Sequence, residues 1–166
     1  MKIFRTFLPL LFVMFSLVSC NAGNESSAGN DSSAEVKSDS EKGKVYTISL
    51  TKDEFLKKVM DFESNPEEWK YLGDKPAIID FWAEWCSYCR KLAPVLEELA
   101  EEYKEDIYIY LVDTEAEKEI ARAFGVRALP TLLFVPSEGT PQAAEGALPQ
   151  EELKRIIEEF LLENKE

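Results

Sequence analysis

The chain has 166 residues, with 19 basic and 32 acidic side chains, a formal charge of −13, no histidine and three cysteines. Without histidine neither a Ser-His-Asp nor a Cys-His catalytic arrangement can form, three thiols cannot complete a Cys/His zinc tetrahedron, and the excess of acid argues against a protein that grips nucleic-acid phosphates. An apolar fraction of 45% with 3 Trp, 6 Tyr and 10 Phe supports a hydrophobic core, and the length suits one domain.

The N-terminus carries Lys2 and Arg5, then an apolar run from Phe7 to Val18 and small residues leading to Cys20. This pattern reads as a secretory signal over residues 1–19, because the run is shorter than the roughly 20 apolar residues of a bilayer-spanning helix. Leu17-Val18-Ser19-Cys20 resembles the lipobox of bacterial lipoproteins. The resemblance implies cleavage before Cys20 and acyl chains on that residue, enough for stable anchoring. An ordinary signal with an incidental cysteine is the alternative. From Asn21 to Lys44 the only bulky apolar residue is Val36. Residues 20–44 therefore read as the lipidated cysteine and a disordered tether, with a root-mean-square span of about 25 to 30 Å. Loss of Lys2 and Arg5 leaves the remainder more acidic, so the lipid rather than the protein surface is expected to hold the membrane.

Residues 45–166 read as a folded domain. Val45 to Leu50 alternates as a half-buried strand, and Thr51-Lys52-Asp53-Glu54 is a capping box opening a helix with the stripe Phe55, Leu56, Val59 and Met60. Asn65-Pro66 breaks that helix, a short segment around Trp69 follows, and Ala77 to Trp82 is apolar enough for a central strand. The next helix starts near Cys86, with Leu92, Val95, Leu96, Leu99 and Tyr103 inward and Arg90, Lys91, Glu97, Glu98, Glu101 and Glu102 outward. Pro94 is expected to kink it. The acidic stretch from Glu97 to Glu105 reads as a solvated face that steers basic partners. Ile107 to Val112 reads as a strand, Glu115 to Phe124 as a helix closed by Gly125, and Thr131 to Val135 as a strand after Pro130. A short strand around Gln142 to Ala144 and a final helix with the stripe Leu153, Ile156, Ile157, Phe160 and Leu161 complete the chain. Alternating strands and helices predict an α/β sandwich around a mixed sheet.

The chemistry centres on Cys86-Ser87-Tyr88-Cys89. Two cysteines at i and i+3, in the first turn of a helix that leaves a buried strand, can bridge with little backbone movement. The helix N-terminus favours thiolate on the first of them. Cys86 is expected to be exposed and to attack, and Cys89, one turn in, to be shielded and to resolve the mixed disulfide. A zinc site lacks further ligands, and a purely structural bridge over so short a loop would constrain the unfolded chain little.

Asp80-Phe81-Trp82-Ala83-Glu84-Trp85-Cys86-Ser87-Tyr88-Cys89-Arg90, with Pro94 and with Gly125-Val126-Arg127-Ala128-Leu129-Pro130-Thr131 downstream, resembles thioredoxin over about residues 45 to 166. With the signal and tether, the chain resembles the lipid-anchored, periplasm-facing thioredoxins of Gram-negative bacteria. The resemblance implies the thioredoxin fold, a central mixed sheet flanked by helices on both faces. It makes Pro130 the cis-proline beside the sulfurs, Leu129 the residue whose backbone pairs with a substrate peptide, and Trp85 and Gly146 the flanks of the docking groove. Ser87 and Tyr88 occupy the dipeptide that meets substrate and tunes the potential. Asp80 matches the buried acid that exchanges a proton with the resolving cysteine, although alone it also reads as a structural acid. Trp82 reads as core.

Two departures stand out. Reducing members usually have Gly-Pro between the cysteines, and a tyrosine before the second cysteine also occurs in periplasmic isomerases, which leaves the direction of electron flow open. Counting back from Gly125, the lysine that often pairs with the buried acid falls on Leu111, so desolvation is expected to raise the pKa of Asp80. The expected activity is reduction of protein disulfides by a monomer without metal or cofactor, recharged by a membrane electron donor of the dithiol-relay type. Its expected place is the periplasmic side of a bacterial membrane, the outer one favoured because Asn21, not aspartate, follows Cys20. A disulfide isomerase or weak oxidant, a reductase dedicated to cytochrome maturation, and a noncatalytic peptide-binding module are the alternatives.

Overall fold

The computed structural model describes residues Lys44–Glu163. The expected signal, Cys20 and all of the expected tether but Lys44 lie outside the described residues. The elements in chain order are β1 (Ile48–Ser49), α1 (Lys52–Lys58), β2 (Ala77–Trp82), α2 (Ser87–Glu102), β3 (Tyr108–Asp113), α3 (Lys118–Ala123), β4 (Thr131–Val135), β5 (Gln142–Glu145) and α4 (Gln150–Ile156), which continues as a π-helical segment over Ile157–Leu162.

The strands form one five-stranded sheet in the order β1-β3-β2-β4-β5. β3 runs parallel to β1 and β2, whereas β4 is antiparallel to both β2 and β5. The β1-to-β2 connection crosses the sheet in one direction and the β2-to-β3 connection returns in the other. Right-handed crossovers therefore place α1 and α2 on opposite faces. On one face Phe55, Val59 and Ile120 from α1, its C-terminal cap and α3 pack on Ile79, Phe81 and Val112. On the other, Leu92, Leu96 and Leu99 of α2 and Leu153, Ile157 and Leu161 of the last helix pack on Ile78, Ile109 and Leu132. β2 is thereby covered on both sides, which accounts for its near-continuous apolar sequence. Phe124 ties the first face together, with ring centroids 5.1 Å from Phe55, 5.9 Å from Phe81 and 6.2 Å from Trp69.

Several local expectations are corrected. Only Ile48 and Ser49 of the anticipated first strand pair in the sheet, because Glu97 captures the chain before it. Its carboxylate accepts from the Tyr46 backbone N–H, from the Thr47 N–H at 3.2 Å and from Thr47 Oγ1 at 2.7 Å. Partial burial raises the pKa of Glu97, but these hydrogen bonds outweigh it and hold the carboxyl below its ordinary range. Glu97 is thus an anchor rather than part of a solvated face. Glu102 and Glu98 also turn to α4, through Lys154 at 2.8 Å and Gln150 at 3.2 Å.

α2 continues through the exposed Pro94. α3 begins at Lys118 instead of Glu115, because the preceding turn is pinned elsewhere. Thr114 donates to the Trp82 carbonyl through both N–H and Oγ1, and Asp113 accepts from the N–H groups of Glu115 and Glu117. Its end follows expectation: Val126 N–H reaches back to the Ala121 carbonyl at 2.9 Å, and Gly125 supplies the positive φ of 62° that this closure requires.

Replacing Glu97 with alanine leaves two half-buried N–H groups without their charged acceptor. The expected loss is about 1 to 3 kcal/mol, read by denaturant unfolding, with faster hydrogen exchange at Tyr46 and Thr47. The difference from wild type should fade in acid, since a depressed carboxyl pKa contributes stability that disappears as pH falls through it.

Candidate active site

β2 ends at Trp82, and a tight turn over Ala83-Glu84-Trp85 delivers Cys86 to the N-cap of α2. Cys86 N–H donates to the Ala83 carbonyl at 3.0 Å, and the Arg90 guanidinium closes the same turn by donating to the Glu84 carbonyl at 2.8 Å. The Cys86 sulfur fills the position of a capping oxygen, accepting the Cys89 N–H at 3.1 Å. Cys86 and Cys89 are joined as a disulfide with their Cα atoms 5.3 Å apart. In the dithiol state the same N–H and the helix terminus favour a thiolate at Cys86.

Cys86 is not the exposed residue that its position led one to expect. It is 4% exposed against 2% for Cys89, because its sulfur turns back over the helix end. The exposed surface belongs to its neighbours, Trp85 at 67% and Tyr88 at 63%. Ser87 is also exposed, and Lys91 Nζ stands 5.7 Å from the centre of the Tyr88 ring.

Asp80 is 2% exposed and is the one buried carboxyl among the described residues. It shares the α2-covered sheet face with Ile78, two residues before it, and stands opposite Leu111 on β3 and Leu132 on β4. With apolar side chains on both flanks, its Oδ1 has no hydrogen-bond partner among the described residues. Desolvation pushes its pKa up to about 7. Neutral and ionised forms are therefore close in energy near neutral pH. Trp82 is half-buried, with its carbonyl taken by Thr114.

The Leu129–Pro130 peptide bond is cis. Thr131 Oγ1 donates to the Ala128 carbonyl at 2.7 Å, and Gly146 N–H donates to the Pro130 carbonyl at 2.8 Å, holding this loop against the end of β5. Gly146 has φ 91°, and a Cβ there would meet nothing within 4 Å, so glycine answers a backbone requirement rather than a lack of room.

A groove of about 600 Å³ is lined by Trp85 and Leu129, the chain neighbours of Cys86 and Pro130, whereas Cys86, Cys89, Ser87, Tyr88, Pro130 and Gly146 do not line it. Lys118, Arg122 and Arg127, none of them singled out from sequence, also line it. The i, i+4 spacing of Lys118 and Arg122 places them on one helix flank, but only the packing of α3 turns that flank toward Trp85.

The thioredoxin family model matches residues 46–159. The chain is 45% identical over 113 residues to a thioredoxin of Borreliella burgdorferi, an overlap of 68% of this chain and 96% of that one. It is 35% identical over 133 residues to an M-type chloroplastic thioredoxin of Spinacia oleracea, covering 78% of this chain and 72% of the other. Among solved structures, a Malassezia sympodialis thioredoxin superposes with a TM-score of 0.55 at 26% identity over 69% of this chain and 91% of that one. Chloroplastic thioredoxin z shares the fold with a TM-score of 0.57 at 23% identity, over 68% and 92% of the two chains. The chain belongs to the thioredoxin family and is a thiol–disulfide oxidoreductase.

Proposed function

We propose that the protein reduces protein disulfides on the periplasmic side of a bacterial membrane, held there by lipid on Cys20 and recharged by a membrane dithiol donor. The observation that carries the exchange chemistry is the Cys86–Cys89 disulfide at the N-terminus of α2, on the strand-helix unit that buries Asp80. In the reduced protein the Cys86 thiolate attacks one sulfur of the substrate disulfide. The substrate S–S bond breaks, a mixed disulfide forms and one substrate thiolate leaves. Cys89 then gives its proton to the Asp80 carboxylate, directly or through water, and attacks Cys86 Sγ. The second substrate thiol departs, two electrons have passed to the substrate, and the protein is left with the Cys86–Cys89 disulfide. Leu129, Pro130, Trp85, Ser87, Tyr88 and Gly146 are proposed to receive the substrate peptide.

The membrane part of the proposal rests on the apolar run Phe7 to Val18 and on Leu17-Val18-Ser19-Cys20. Among the described residues no helix is long and apolar enough to cross a membrane. A membrane donor suits a compartment where no soluble nicotinamide reductant is expected, and Asn21 after Cys20 favours the outer membrane. The domain is proposed to act as a monomer: with Cys20 acylated, no third thiol is left for an intermolecular bridge.

Direction of electron flow is decided by the equilibrium potential of the pair against a glutathione or dithiothreitol buffer. About 30 mV corresponds to about 1.4 kcal/mol for two electrons, so the span of about 90 mV between thioredoxin-like and isomerase-like couples is about 4 kcal/mol. A value near −270 mV is expected. One near about −180 mV or above would reverse the assignment to isomerase or oxidant and make Ser87-Tyr88 the first dipeptide to exchange for Gly-Pro.

Cys89→Ala is expected to accumulate mixed disulfides through Cys86, seen by mass spectrometry of trapped adducts; adducts on Cys89 in the Cys86→Ala variant alone would reverse the two roles. Asp80→Asn is expected to slow resolution and to flatten the rise in rate through pH 7, because only the carboxylate accepts the proton. The same variant should be more stable than oxidised wild type at neutral pH. An acid whose pKa is raised on folding loses stability as pH climbs from about 4 to about 7, by a total on the order of 4 kcal/mol, so the gain should vanish below about pH 4. Cys20→Ser should release the protein from the membrane fraction and remove the added lipid mass.

A further inference from the structure

The groove that Trp85, the chain neighbour of Cys86, borders has a charge opposite to that of the whole chain. Lys118, Arg122 and Arg127 line it against one acid, Glu115, although acidic side chains outnumber basic ones 32 to 19 overall. By contrast, Lys52, Lys58, Lys154 and Arg155 all sit within ion-pair distance of carboxylates. None of the three groove cations makes an ion pair or hydrogen bond among the described residues, and Arg122 exerts only a through-space pull on Glu119. Lys118 and Arg122 are also a like-charge i, i+4 pair on a six-residue helix, an arrangement that costs a helix stability unless an anion relieves it. The same groove is also lined by the apolar Trp85, Val126 and Leu129. A partner segment that suits this lining carries an apolar contact for Trp85 and Leu129 and carboxylates for the two guanidinium forks, which bind them bidentately.

We propose that this groove selects an acidic segment adjoining the disulfide of the partner protein, with Arg122 and Arg127 as the specificity-determining side chains and Lys118 in support. The proposal rests on the exchange reading above. It also replaces the expectation that the acidic surface chooses basic partners: the acidic α2 face lies along the body of the helix and is engaged by α4 and the N-terminal segment, whereas the rim nearest the disulfide adds Arg90 and Lys91, neither bonded to a carboxylate among the described residues. Local contacts of a few ångströms outweigh the distant negative field once the partner is docked, since exposed charges separated by more than about 8 to 10 Å are largely screened at physiological salt.

The test uses two disulfide-linked peptides that differ only in the residues flanking cysteine, Asp and Glu in one and their isosteric amides Asn and Gln in the other. Oxidation of the reduced full-length protein should show kcat/KM about tenfold higher for the acidic peptide, equivalent to about 1.4 kcal/mol. In Arg122→Gln/Arg127→Gln the two values should converge to within about twofold, while Arg122→Lys/Arg127→Lys should retain part of the preference. Glu115→Gln, which removes the competing acid without touching the cations, should widen the preference. Equal values for the two peptides in the native protein, or a Glu115→Gln ratio that stays or narrows, would overturn the proposal. Failure of the native protein to reduce either peptide would instead overturn the exchange reading on which it depends.

Discussion

The burial of β2 on both faces is the constraint from which the rest follows. Between β3 and β4, with helices above and below, the strand makes a free charge costly, and its residues from Ala77 to Phe81 are almost completely enclosed. A carboxyl in such a place keeps its proton until a pH far above that of an exposed aspartate, because ionisation would strand a charge in an apolar medium. Asp80 sits there with Leu111 and Leu132 abreast of it. The same rigid strand aims the turn after Trp82, so that the cysteines are held at a helix terminus whose unpaired N–H groups favour sulfur carrying negative charge. One enclosed strand thus supplies both a site for a movable proton and the position of the nucleophile.

Charge is organised on two scales. Over the whole chain acid dominates, but much of the acid on α2 is used within the domain: Glu97 ends the first strand by taking its N–H groups, and Glu98 and Glu102 reach α4. The exposed pairs of Glu98 and Glu102 contribute little singly. Their consequence is positional, because those carboxylates are engaged along the body of α2, whereas Lys118, Arg122 and Arg127, with no ion-pair partner among the described residues, line the groove that Trp85 borders. The charge lining that groove therefore differs in sign from the net charge of the chain.

Phe124 connects the two scales. Its ring packs on Phe55, Phe81 and Trp69, and it stands where α3 ends. The aromatic cluster fixes the helix whose outer flank carries Lys118 and Arg122, so the groove wall is placed by core packing on the α1/α3 face, while the disulfide is placed by β2 and α2.

What could be read in the sequence was whatever depends on local spacing. Cysteines three apart after an apolar strand, a capping box at Thr51 to Glu54, a glycine closing α3 and stripes at helical intervals are each set by neighbours within about a turn, so linear order reveals them. Tertiary structure alone decided the length of β1, which Glu97 shortens from 50 residues away, and the late start of α3, pinned by Thr114 to the end of β2. It also decided that Cys86 is covered, that Leu132 joins Leu111 in isolating Asp80, and that three cations far from Trp85 in sequence line the same groove as that residue. The physical reason is the same in each case. Hydrogen-bond capture, desolvation and unneutralised charge depend on which groups the folded chain brings within a few ångströms, and no local periodicity encodes that.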